Sequence, residues 1–208
     1  TGLHVALENI LFRSFLCLLE KGQFDLNGLD HLGRGPLSYA VMSGNLEAVE
    51  KLLHLGANPD HEDSPQKIGL AALTPLACAA AQGDYAVIEA LLDKHAQIDL
   101  RDRHGRTALM FAATATSGAA TRLLLSRGSQ ADRVDNENRT PLSFASEAGS
   151  DAVVSLLLKQ IVEVDSKDKS LTTPLMYAAV SGSESVVSIL ASRGADVDSK
   201  NLRGETPL

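Results

Sequence analysis

The hydrophobic and polar positions of this chain fall into a unit that repeats. A small-residue stretch, as in "LSYAVMSGN", "LACAAAQGD", "LSFASEAGS" and "LMYAAVSGS", comes first. A segment rich in Leu and branched residues follows it: "AVEKLLHLG", "AVIEALLDKH", "AVVSLLLKQ", "SVVSILASRG". A polar link with Asp and often Gly closes the unit, as in "DRHGRT", "DNENRT", "DKSLTT" and "NLRGET". In the second segment apolar residues stand three and four apart, for example Val49, Leu52 and Leu53, or Val153, Val154, Leu157 and Leu158. That spacing predicts an amphipathic helix with one stripe to bury. The first segment predicts a shorter helix whose Ala and Ser residues let neighbours approach closely.

The repeat has a fixed length. The tripeptide "TPL" occupies 74–76, 140–142, 173–175 and 206–208. The middle residues of all matching sites are Gly2, Pro36, Pro75, Ala108, Pro141, Pro174 and Pro207, so the gaps are 34, 39 and then 33 four times. The long gap is a 33-residue unit with six residues inserted. A period of this size marks a stacked array. Six repeats result, about 1–34, 35–73, 74–106, 107–139, 140–172 and 173–205, with residues 206–208 opening a seventh. They are read as a single domain over 1–208, and as a stretch of a longer array. Thr before Pro is a helix start, since Thr can cap free N–H groups and Pro fits the first turn. Gly44, Gly83, Gly149 and Gly182 are placed to end the first helix in the left-handed conformation, and Gly56, Gly128 and Gly194 to end the second. Helices this short are marginal alone in water. Stacking buries their stripes at about 1.5–3 kcal/mol per enclosed Leu or Val, which is why such units come in arrays.

Period 33, the T-P-L-x-x-A pattern, G-x-x-x-V-V-x-x-L-L and a closing G-A-D-V-D together resemble the ankyrin repeat. The clearest stretches are "RTPLSFASEAGSDAVVSLLL" at 139–158 and "TPLMYAAVSGSESVVSILASRGADVD" at 173–198, and "TGLHVA" at 1–6 keeps the family's His as His4. The resemblance implies an all-α repeat solenoid of stacked helix-turn-helix units joined by β-hairpin-like finger loops. Four departures carry expectations of their own. Repeat one has Ile10 where Gly is usual and an extra residue near Phe24. Repeat two carries the insertion at 64–71, read first as a solvated loop extension, with partner contact by the loop or phosphorylation at the Ser64-Pro65-Gln66-Lys67 step as alternatives. Gly118, Ala119 and Ala120 begin a second helix where bulkier residues usually pack, so repeat four is expected to be a soft point. Ile161 stands where Gly closes a second helix, so that turn must be built differently.

Composition narrows the functions. The 208 residues carry a formal charge of −7, which gives no general attraction for phosphate backbones or anionic lipid. Finger cations such as Arg101, Arg103 and Arg106 are offset by Asp99 and Asp102, and no aromatic residues interleave to stack bases, so nucleic acid is not the expected partner. No stretch is long and apolar enough for membrane insertion. Cys17 and Cys78 form no metal motif and read as buried residues of an intracellular protein, cytoplasmic or nuclear. The "GRG" at 33–35 lacks the Lys-Ser/Thr of a phosphate loop, and no hydrolase or kinase motif is present. The six histidines sit at different repeat positions, His54 and His95 in second helices, so neither a metal nor another cofactor is called for. Asp30, Asp63, Asp102, Asp135 and Asp168 recur at the fingers, where turn chemistry accounts for them better than catalysis.

The expected function is therefore a non-catalytic scaffold for a protein partner. The alternative is the regulatory or sensor segment of a larger enzyme or nucleotide-driven signalling protein. The resemblance implies binding on the concave face made by finger tips and first helices. Carried across, that face holds His31, Leu32, Arg34, Met42 and Ser43, then Arg103, His104, Arg106, Thr114 and Ala115. It continues with Asn136, Glu137, Arg139 and Glu147, and ends with Lys169, Ser170, Thr172, Val180 and Ser181. Leu32 and Met42, apolar at positions expected to be exposed, are the preferred anchors.

Overall fold

The structure is a computed structural model that describes residues 25–29, 34–61 and 73–207. Among them are ten helices and no strands. They alternate as first and second helices of the repeats: α1 (Pro36–Met42) and α2 (Leu46–His54), α3 (Pro75–Gln82) and α4 (Tyr85–Asp93), α5 (Ala108–Thr114) and α6 (Gly118–Ser126), α7 (Pro141–Glu147) and α8 (Asp151–Leu157), and α9 (Pro174–Ser181) and α10 (Glu184–Ser192). This is the all-α ankyrin-type solenoid that the resemblance implies. The expectations for repeat one, His31, Leu32, Cys17 and the insertion fall on 1–24, 30–33 and 62–72, outside the described residues.

The chain divides into two compact units, Thr1–Ala79 with Ala86–Ala96, and Ala80–Tyr85 with Gln97–Leu208. In the first, α1 packs on α2, and Val41, Val49, Leu52, Leu76, Ile88 and Leu91 are buried. In the second, α7 packs against both α5 and α9, while α8 packs against both α6 and α10. First helices thus stack on first helices and second on second. Leu109, Leu142 and Leu175 are buried at equivalent places in the first row, and Leu124, Leu157 and Leu190 in the second. The expected stripe of Val153, Val154, Leu157 and Leu158 is buried throughout.

Most helix ends follow the repeat chemistry, although α1 starts at Gly35 with no side-chain cap. Thr74, Thr140 and Thr173 accept at Oγ1 from the N–H of Ala77, Ser143 and Met176. Thr107, which precedes Ala108 instead of Pro, makes no such cap. The predicted glycines turn left-handed after the first helices, and Thr116 takes that conformation in repeat four, at φ +54°. A second set of caps starts the second helices: Asn45, Ser117, Ser150 and Ser183 accept from Ala48, Ala120, Val153 and Val186.

Three local expectations are corrected or refined. His95 lies beyond the end of α4, at φ +63°, and not within the helix. Cys78 is half-buried rather than fully enclosed. Ile161 follows a turn closed by Lys159 and Gln160 donating to Leu156 and Leu157 carbonyls. No left-handed residue is used there, and the Ile161 side chain is fully exposed.

Candidate functional site

Each finger of the second unit is built on one side-chain oxygen, an aspartate's in three of them. Asp102 Oδ1 accepts from the backbone N–H of His104 and Arg106 at 2.9 and 2.8 Å. Asp135 does the same for Glu137 and Arg139, and Asp168 for Ser170 and Thr172, all at 2.8 Å. Asn201 repeats the pattern with Arg203 and Glu205. The three aspartates are buried, so the recurring Asp is turn chemistry, as its spacing suggests. Backbone bonds from Asp102 to Arg106, Asp135 to Arg139 and Asp168 to Thr172 close each finger like a small hairpin.

Successive fingers are also joined. Asn136 N–H donates to His104 O at 2.8 Å, Lys169 N–H to Glu137 O at 3.0 Å, and Leu202 N–H to Ser170 O at 3.0 Å. Asn136 further donates from its side chain to Arg103 O at 3.0 Å. The approach is closest at Gly105, φ +77°, where an added Cβ would fall against the Asn136 side chain and 2.9 Å from its backbone N.

Behind the tips, arginines lie on aromatic rings of the first helices. Arg106 holds Asp102 Oδ2 through Nε and Nη2, at 3.0 and 2.9 Å, with its guanidinium 4.5 Å from the Phe111 centroid. Arg139 sits 4.1 Å from the Phe144 centroid and 4.5 Å from that of Tyr177, and also pairs with Glu147. Tyr177 donates to Asp168 Oδ2 at 2.6 Å. Burial pushes its phenol well above the usual tyrosine range, and the hydrogen bond to Asp168 adds to that.

These contacts sort the residues expected at the binding face. In the first unit Arg34 is half-buried, 5.0 Å from the Tyr39 centroid and 3.7 Å from Met42 Sδ. Met42 is 44% exposed, and Ser43 is exposed with its hydroxyl donating to Ala40 O. In the second unit Arg103 and His104 are exposed side by side, Nε to Nε2 at 3.0 Å. Glu137 and Lys169 pair across fingers at 3.5 Å. Asn136 and Ser170 are exposed. Thr114 and Ser181 are exposed too, and their hydroxyls bond back to Met110 O and Ala178 O. Ala115 and Thr172 are half-buried, while Val180 is 87% exposed. Arg106 and Arg139, by contrast, are engaged within the protein. Phe111, Phe144 and Tyr177 escaped the sequence reading. For the two phenylalanines the signal was an aromatic five residues after Arg106 and Arg139, as Tyr39 follows Arg34; it is missing where Leu73 precedes Cys78, and Tyr177 follows Thr172 instead of an arginine.

Comparison with known proteins agrees with this geometry. The family model described as ankyrin repeats (3 copies) matches residues 64–135 and 115–201, and the single ankyrin repeat model matches 32–64. Ankyrin repeat domain-containing protein 63 of Mus musculus is 37% identical over 105 residues, 49% of this chain and 25% of that protein. The E3 ubiquitin-protein ligase hecd-1 of Caenorhabditis elegans is 34% identical over 93 residues, 44% of this chain and 3% of the ligase. The chain thus spans a quarter or less of these relatives' length. Among solved structures, the ankyrin repeat domain of Bcl-3, a unique member of the IkappaB protein family, superposes with a TM-score of 0.79 at 29% identity. The superposition covers 100% of this chain and 92% of that one. The chain belongs to the ankyrin repeat family.

Proposed function

We propose that this chain is a non-catalytic recognition module that takes a protein partner on the finger and first-helix face. Ankyrin repeats are in general protein–protein interaction modules, and the finer reading concerns which residues do the binding here. One observation carries it. The Asp-anchored fingers are fixed by their own backbone bonds and by bonds to the next finger, yet they leave Arg103, His104, Glu137 and Ser170 exposed at their tips. Rigid backbone with exposed side chains loses little entropy on docking. Val180, in the same unit, supplies an exposed apolar contact of the kind that anchors an interface. The relatives carry such repeats inside larger proteins, one of them a ligase, which supports the second reading of a regulatory segment beside a catalytic one.

Pull-down with the wild type and with Arg103→Ala/His104→Ala/Val180→Ser distinguishes the face. The expected result is loss of at least one partner with the folding midpoint unchanged. Equal recovery of every partner by both proteins would falsify the assignment.

A further inference from the structure

We propose a second docking surface on the opposite, second-helix face of the larger unit, built to take an acidic amphipathic helix from a partner protein. Gly118 and Ala119 leave the start of α6 without bulk. The space they vacate is a groove of ≈ 530 Å³ bordered by Tyr85 and Leu123. It runs past Arg122 and Ser126 into a cleft of ≈ 210 Å³ between α6 and α8, lined by Leu125 and Leu156 with Lys159 at its rim. Both lobes share Arg122 and Ser126, so a single rod crossing that point would reach into each. The fully exposed Ile161 follows directly in the chain after the cleft's Gln160.

Charge selects the occupant. Arg122 and Lys159 are exposed, and among the described residues neither side chain has a hydrogen-bond or ion-pair partner. No carboxylate lines either lobe, although the chain as a whole carries −7. Unpaired cations beside a Leu-lined channel complement a helix that presents Leu- or Ile-type side chains one or two turns apart, flanked by Asp or Glu. Nucleic acid suits the channel less, because its floor is apolar and only Tyr85 could stack.

The test is selection of helical peptides from a displayed random library on the intact 208-residue chain. The charge-reversed variant Arg122→Glu/Lys159→Glu and the groove-filled variant Ala119→Leu are run in parallel. All three substitutions lie at exposed positions, and circular dichroism confirms folding. Wild type should enrich peptides with apolar residues flanked by Asp or Glu. Reversal should weaken those peptides at least ten-fold and enrich basic ones, and filling the groove should weaken them without changing the preferred charge. Arg103→Ala/His104→Ala should leave the affinity of the enriched acidic peptides unchanged, so the result stands apart from the finger face. Enrichment of no peptides, of basic or uncharged ones, or of the same peptides on wild type and reversed protein overturns the proposal. Self-association of wild type that the reversal abolishes would seat a second copy there and overturn it as well.

Discussion

Arg139, at the end of its repeat, lies between two rings, Phe144 in the next repeat and Tyr177 in the one after, and pairs with Glu147 on the helix that follows it. Tyr177 in turn holds the Asp168 carboxylate that shapes the following finger. Because the Tyr177 phenol stays protonated in the fold above its ordinary range, its contribution is complete below about pH 10 and is lost as pH rises beyond that. Urea midpoints measured from about pH 8 to about pH 11 should therefore fall steeply in wild type. Tyr177→Phe should start less stable and show a flatter alkaline limb; an identical limb would remove the phenol as the cause. Gly105 is the other demanding position, left-handed and pressed on the Asn136 backbone. Gly105→Ala should cost about 2–3 kcal/mol, from strained backbone plus displacement of the neighbouring finger. Denaturant titration measures it, and a cost under about 0.5 kcal/mol would show that the finger yields freely.

At the scale of helices, the period and the Thr-Pro starts made the first helices legible, because a cap and a rigid first turn are local chemistry. The second-helix caps at Asn45, Ser117, Ser150 and Ser183 were legible in principle as small polar residues after the turn, and were overlooked beside the more obvious glycines. The aspartates of the fingers could be read as turn residues from spacing alone. The finger-to-finger bonds could not, since they depend on how far one repeat stands from the next. For the same reason the groove beside α6 was visible only as missing bulk at Gly118 and Ala119. The expected soft point there is a complete nine-residue helix with a Ser117 cap. An added Cβ at Gly118 would meet only Leu156, at 4.0 Å. Gly118→Ala should thus raise stability by about 0.5 kcal/mol, read as an upward shift of the urea midpoint. A downward shift would mean that this helix start has no room.

For the molecule as a whole, stability is shared among layers, and position in the stack matters more than residue type. Leu157 and Leu190 are equivalent in their repeats and equally buried. Helix α8 packs against α6, α7 and α10, whereas α10 packs against α8 and α9. Leu157→Ala is accordingly expected to cost about 4–5 kcal/mol and Leu190→Ala about 2–3 kcal/mol, by denaturant unfolding. Equal costs would show that layer position is irrelevant. The family and the fold were fully readable from sequence because they follow from repetition. Surface roles were not, since Arg106 and Arg139 look like free cations in the sequence and are engaged in the fold.

The bonds from Asn136, Lys169 and Leu202 to the preceding fingers all run in one direction along the chain. Each finger's amide proton is thereby shielded by the carbonyl of the finger before it. Deuterium should enter those three amides only when the earlier finger lifts away, so their exchange rates report the opening of a neighbour and rank the fingers by the order in which they come loose.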